Sequence, residues 1–139
     1  MNSDIARLFE YPDADYMTAL RACGLAAPFE GLSLEQLQES FIQAFDLNPD
    51  AALDIGWHLF GENYERGEFL VKMRGELRRF GLEESRELPD HLTHVLRVLA
   101  CMDADERSPF IESYLAPALS KIAAALEKAG SPFLCLLRA

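Results

Sequence analysis

Apolar residues in this chain recur every three or four positions and nowhere alternate strictly, which confines it to helices packed on helices. The clearest run is Leu92, Val95, Leu96, Leu99 and Met102. Leu34, Leu37, Phe41, Ala44 and Phe45 form a second stripe, and Phe69, Leu70, Met73, Leu77 and Phe80 a third. Breaks fall at Tyr11-Pro12, Gly24, Asn48-Pro49, Gly61, Gly81, Pro89 and Gly130, where Gly and Pro interrupt helices. No internal repeat is present. The expectation is an all-α, single-domain bundle over 1–139, of six to eight helices joined by short loops.

Local signals give the boundaries. Asn2 or Ser3 is placed to cap a first helix over 4–10, and Asp13 and Asp15 to open a second. Ser33-Leu34-Glu35-Gln36 has the form of a capping box, starting a helix that runs to about Phe45. Asp46 then sits where the helix dipole disfavours an anion, so it needs a partner or a purpose. Positions 51–60 read as one short apolar helix, in which His58 beside Trp57 is a packing residue. The next helix spans 64–80, with Glu62–Arg66 and Glu68–Lys72 in the favourable i,i+4 order. Pro89 is suited to a first helical turn, which puts Asp90 near the positive end of the helix bearing the Leu92 stripe. Ser108-Pro109 has the form of a cap and first residue for a last long helix to about Lys128, which Pro117 should kink or split. The apolar tail 131–139, with Phe133, Leu134, Leu136 and Leu137, must pack on the domain or on a second copy.

Charge is uneven. Residues 1–63 carry eleven acids against Arg7 and Arg21, and residues 64–139 carry twelve acids against eleven bases, for a net −10 overall. Nucleic acid and anionic membrane both need clustered positive charge, so neither is expected as a partner. An acidic half suits a basic partner, or solubility alone. No apolar run is long enough to span a bilayer and the N-terminus has no apolar signal region, so no membrane insertion and a cytoplasmic location are expected. Cys23, Cys101 and Cys135 are too far apart for a paired framework and read as small buried thiols.

Few catalytic patterns are present. Asp90-His91 with His94 gives Asp-His-x-x-His, which could face a metal, but no third histidine or cysteine lies near, and catalytic zinc usually has three protein ligands. There is no nucleophile elbow and no glycine-rich phosphate cradle. The expectation is a non-enzymatic protein with no cofactor; a metal-dependent enzyme using Asp90, His91 and His94 is the less favoured alternative. A helical module that dimerises through its apolar tail is another.

Four stretches, in order, carry a resemblance: Leu8-Phe9-Glu10-Tyr11-Pro12, then Phe41 with Phe45-Asp46, then Gly61-Glu62-Asn63-Tyr64-Glu65-Arg66-Gly67, then Glu87-Leu88-Pro89-Asp90-His91-Leu92. Together they resemble the NarJ-type chaperones of molybdenum-containing nitrate reductases, within the wider TorD/DmsD family. Position 41 is Phe where Tyr is common. The resemblance implies a TorD-like helical fold and a chaperone for maturation of a nitrate reductase-like oxidoreductase. It implies binding of the basic N-terminal peptide of the molybdenum-containing catalytic subunit until the cofactor is inserted. The peptide-binding residues carried over are Phe41, Asp46, Tyr64, Arg66, Glu87, Pro89, Asp90 and His91. Asp46, Glu87 and Asp90 would attract cationic residues, Pro89 and Gly67 would shape the backbone, and Arg66 would serve the peptide or partner one of the acids.

Overall fold

The capping box at Ser33 is made in full: Ser33 Oγ accepts from the Gln36 amide (3.1 Å) while Gln36 Oε1 accepts from the Ser33 amide (2.9 Å). It starts one helix of an all-α bundle. The computed structural model describes residues 3–138. A 3-10 helix over Ser3–Phe9 leads to α1 (Tyr16–Ala22), a 3-10 turn at Ala27–Phe29, and α2 (Leu34–Phe41). Helix α2 runs on as a π turn over Ile42–Asp46, followed by a 3-10 turn at Pro49–Ala51. Then come α3 (Ile55–Phe60), α4 (Tyr64–Arg79), α5 (Leu92–Cys101) and α6 (Ala104–Phe110). A second π turn, Ile111–Leu115, joins α6 to α7 (Ala116–Ala129), and α8 (Leu134–Leu137) ends the chain. Among the described residues no helix is long and apolar enough to cross a membrane.

Helix α5 lies at the centre, because seven of its ten residues are buried. It packs on the N-terminal 3-10 helix and on α4, while α7 covers α3 and the Pro49–Ala51 turn. Phe41, Phe45, Phe69, Met73, Leu92, Leu96 and Leu99 all fall in one contiguous buried cluster, as their spacing requires. Burying each such side chain is worth about 1.5–3 kcal/mol.

Several boundaries differ from the sequence reading. Position 2 and the Ser3 side chain lie outside the described residues, so the first cap does too. Position 51–60 is not one helix: Leu53 and Asp54 leave it to pair with the chain at 90–92, and α3 starts only at Ile55. Leu34 faces solvent. Arg66 turns inward and leaves Glu62, while Arg79 takes Glu76 and Glu106. Helix α6 is capped by Asp103, whose carboxylate accepts from the Glu106 amide (2.9 Å), so Pro109 lies inside a helix rather than opening one. The π turn at Ile111–Leu115 stands between Pro109 and Pro117, and Pro117 falls at the start of α7. The split is therefore a change of winding over Ile111–Leu115 between two prolines, each of which lacks an amide donor. Cys101 is exposed, and Cys23 and Cys135 are half-buried free thiols.

The apolar tail packs on its own chain. Phe133 is fully buried against Phe29 (ring centroids 4.9 Å), Phe45 (5.4 Å) and Phe41 (5.6 Å). Leu136 is buried as well. The reason for expecting a homodimer through this tail is thereby removed.

Candidate functional site

The backbone of residues 87–92 is tied to the segment before α3. The Leu92 amide donates to Leu53 O (2.8 Å) and the Ile55 amide to Asp90 O (3.0 Å), a short antiparallel bridge between two extended segments. The bridge keeps Pro89 and Asp90 out of the following helix, contrary to the sequence reading. His91 is the N-cap of α5, its Nδ1 accepting from the Thr93 amide (3.2 Å).

Asp90 is fully buried. Its Oδ2 accepts from the Gly56 amide (3.1 Å), an unpaired donor in the first turn of α3, and from Arg66 Nε (3.2 Å). Asp90 thus caps a different helix from the one it precedes, and Arg66 neutralises it. The close approach requires Gly56, since a Cβ there would lie 2.5 Å from Asp90 Oδ2. Asp90 is therefore not a solvent-facing lure for cations. Arg66 proves to be the structural partner of one of the acids. Gly67 shapes no turn; it lies within α4 facing open space.

Beside this buried pair opens a cleft of about 590 Å³. Phe9, Tyr11, Phe41 and Phe45 supply its aromatic wall, and Glu10, Asp46, Asp54 and Glu87 its carboxylates. Arg86 is the base that lines it. Phe133 stands behind Phe41 and Phe45, so the C-terminal tail supports this wall. The π turn carries Phe45 and Asp46 to the cleft, and Asp46 makes no ion pair or side-chain hydrogen bond among the described residues. Glu10 is paired with Arg97.

Two groups at the cleft have displaced proton affinities. Burial pushes the Asp54 carboxyl up to about 6, reinforced by the Asp90 charge and opposed by Arg66, whose guanidinium is 4.0 Å away. One of its oxygens, Oδ1, is enclosed without a hydrogen-bond partner. Burial lowers His91 to about 4, helped by His94 and Arg97, so its imidazole is neutral near pH 7.

Of the residues singled out in the sequence, Phe41, Asp46, Glu87 and His91 meet at this cleft. Pro89, Asp90 and Arg66 lie behind it as scaffold, and Tyr64 stands apart on the surface of α4 at 75% exposure. Glu10, Tyr11, Asp54, Ser85, Arg86 and Thr93 also line it and were not singled out for it. Glu10 and Tyr11 lay within a noted stretch, but nothing in the sequence tied Asp54 to a site.

The Asp90, His91 and His94 side chains are each committed elsewhere. His94 Nε2 accepts from the Ser85 amide (3.0 Å), so its proton sits on Nδ1 and is donated to Leu88 O (2.8 Å). Among the described residues no group of three or more His, Cys, Asp or Glu is arranged to hold a metal.

Comparison with known proteins bears on the same elements. The chain is 30% identical to the nitrate reductase molybdenum cofactor assembly chaperone NarJ of Escherichia coli strain K12, and equally to NarJ of Escherichia coli O157:H7. Each match extends over 152 residues, covering 95% of this chain and 64% of the relative. It is 27% identical to the probable nitrate reductase molybdenum cofactor assembly chaperone NarW of strain K12, over 73% of this chain and 44% of that protein. The chain therefore spans less than two thirds of the length of the curated relatives it matches. The family described as nitrate reductase delta subunit matches residues 10–137, a stretch holding the Asp90–Arg66 pair, every residue lining the cleft but Phe9, and the tail that supports its wall. Over nearly its whole length, this chain belongs to the nitrate reductase delta subunit family.

Proposed function

We propose that this protein is a chaperone for maturation of a molybdenum-containing oxidoreductase of the nitrate reductase type, working by binding rather than catalysis. It takes the basic N-terminal segment of the catalytic subunit into the cleft and holds the apoenzyme for cofactor insertion. The observation that carries this reading is the pairing of an aromatic wall with an acidic rim: Phe41, Phe45 and Tyr11 beside Asp46, Asp54 and Glu87. An amphipathic basic segment matches both, its apolar face meeting the rings and its cations meeting the carboxylates. The names of the relatives support the assembly role. Leu47 and Leu88, exposed next to Asp46 and Glu87, extend the apolar contact beyond the rim. A cytoplasmic site of action goes with the free thiols.

Stopped-flow titration with the N-terminal peptide of the cognate catalytic subunit tests this. Asp46→Lys and Glu87→Lys alter exposed carboxylates, so the fold should survive while association slows roughly tenfold. Because charge steering is screened over about 8 Å at physiological salt, sodium chloride should slow association and leave dissociation nearly unchanged. Absence of binding at every salt concentration would sink the reading; binding indifferent to both variants would move the site elsewhere.

A further inference from the structure

Helix α4 turns Phe69, Met73 and Leu77 inward and leaves its opposite face uncovered. Tyr64 and Val71, seven residues apart and so on one side, are 75% and 71% exposed. Gly67, Glu68, Gly75 and Arg78 share that side, within about a third of the helix circumference, and Arg74 borders it. A Cβ at Gly67 or Gly75 would meet nothing within 4 Å. Each interior glycine costs a helix about 1 kcal/mol relative to alanine, and no contact within this chain requires either.

The face reads the same from both ends. About Val71, Gly67 mirrors Gly75, Glu68 mirrors Arg74 and Tyr64 mirrors Arg78. Two α4 helices laid antiparallel, with Val71 on the two-fold axis, set glycine against glycine, carboxylate against guanidinium and phenol ring against guanidinium. Each pair is made twice, as an isologous interface demands. A parallel arrangement would instead put Glu68 on Glu68. Among the described residues neither Glu68 nor Arg78 has an ion-pair partner, and Arg74 holds Glu84 through Nε alone (3.1 Å). The glycines let the two backbones approach until the short Val71 side chains touch.

We propose that this face of α4 is a self-association surface, joining two copies of the chain in an antiparallel two-fold contact centred on Val71. It is separate from the peptide cleft, whose lining includes no residue of α4. The strip is about 21 Å long and one helix wide. That is well under the roughly 800 Å² per partner of stable complexes, so the pairing is weak and concentration-dependent.

Sedimentation velocity from micromolar to millimolar protein should show reversible dimerisation, and Val71→Asp should weaken it at least tenfold without lowering the melting temperature. Glu68→Arg should also weaken it, and adding Arg74→Glu should restore it. In a Cys101→Ser background, Val71→Cys should form a disulfide-linked dimer under mild oxidation, because that residue meets itself on the axis. Lys72→Cys, about a quarter-turn round the helix, should not. A monomer at millimolar concentration, a dimer insensitive to Val71→Asp, or equal cross-linking at position 72 would overturn the proposal.

Discussion

Two glycines in this chain are held by opposite circumstances. Gly56 has Asp90 Oδ2 2.5 Å from where its Cβ would be, with Phe69 Cδ2 at 3.0 Å and Arg66 Cγ at 3.3 Å, whereas Gly67 faces open space. Gly56→Ala should therefore destabilise the fold by roughly 1–3 kcal/mol, as overpacking does, and Gly67→Ala should stabilise it by up to about 1 kcal/mol. Asp90→Ala should cost more, about 3 kcal/mol, because it strands the Arg66 guanidinium and the Gly56 amide together. Were Asp90 only a charge at a helix end, about 1 kcal/mol would be the ceiling. Urea denaturation of the three variants at low protein concentration gives the order directly, and an Asp90→Ala loss under 1 kcal/mol would contradict the buried pair. The sequence singles out Asp90 and His91 but not their burial. That depends on Arg66 and Gly56, 24 and 34 residues away, whose spacing to Asp90 follows no periodic rule.

At the scale of elements, the connector between α4 and α5 forms one wall of the cleft through Ser85, Arg86 and Glu87. It has no helix of its own. His94, buried in α5, holds it at both ends by accepting from the Ser85 amide and donating to Leu88 O, while Arg74 grips Glu84 (3.1 Å) on the outer side. Removing a net hydrogen bond of about 1–1.5 kcal/mol raises local opening roughly tenfold. His94→Ala should accordingly raise amide exchange at 85–88 about tenfold or more, with α5 little changed; unchanged exchange there would mean that other contacts hold the wall. The long stripes of α4 and α5 and the capping box at Ser33 were legible, because a helix states its period and its cap locally. The start of α5 was not. Pro89 and Asp90 suit a first helical turn, but the pairing of Leu92 with Leu53 and of Ile55 with Asp90 holds them in a separate tight turn, closed by the His91 amide on Leu88 O (3.0 Å). The same holds for α6, where Asp103 outcompetes Ser108 as cap by offering its carboxylate to the amide of Glu106, three residues on.

Over the whole molecule, the acidic first half was plain in the sequence, and Glu10, Asp46 and Asp54 from it line the cleft. Its least comfortable member sets a pH dependence. Folded Asp54 keeps its proton up to about 6, whereas an unfolded aspartate releases it near 3.9, so Asp54 favours the fold increasingly as pH falls from 6 to 3.9. His91 works the other way. Folded, it refuses a proton until about 4, whereas the unfolded imidazole accepts one near 6.5. Its contribution is therefore full above pH 6.5 and declines with acid by at most about 1.4 kcal/mol per pH unit, until the folded group titrates. Between pH 6 and 4 the two oppose each other, Asp54 more weakly because a third of its side chain is exposed. Asp54→Asn should raise the melting temperature at pH 7, where the parent holds an enclosed charge, and lose that advantage by pH 4. His91→Asn keeps an N-cap acceptor but has no proton to take, so its stability relative to the parent should improve steadily from pH 6.5 to 4. Urea midpoints of parent and variants at pH 7, 6, 5 and 4 separate these trends. An Asp54→Asn advantage that grew with acid would contradict the enclosure of Asp54, and a His91→Asn difference independent of pH would contradict that of His91.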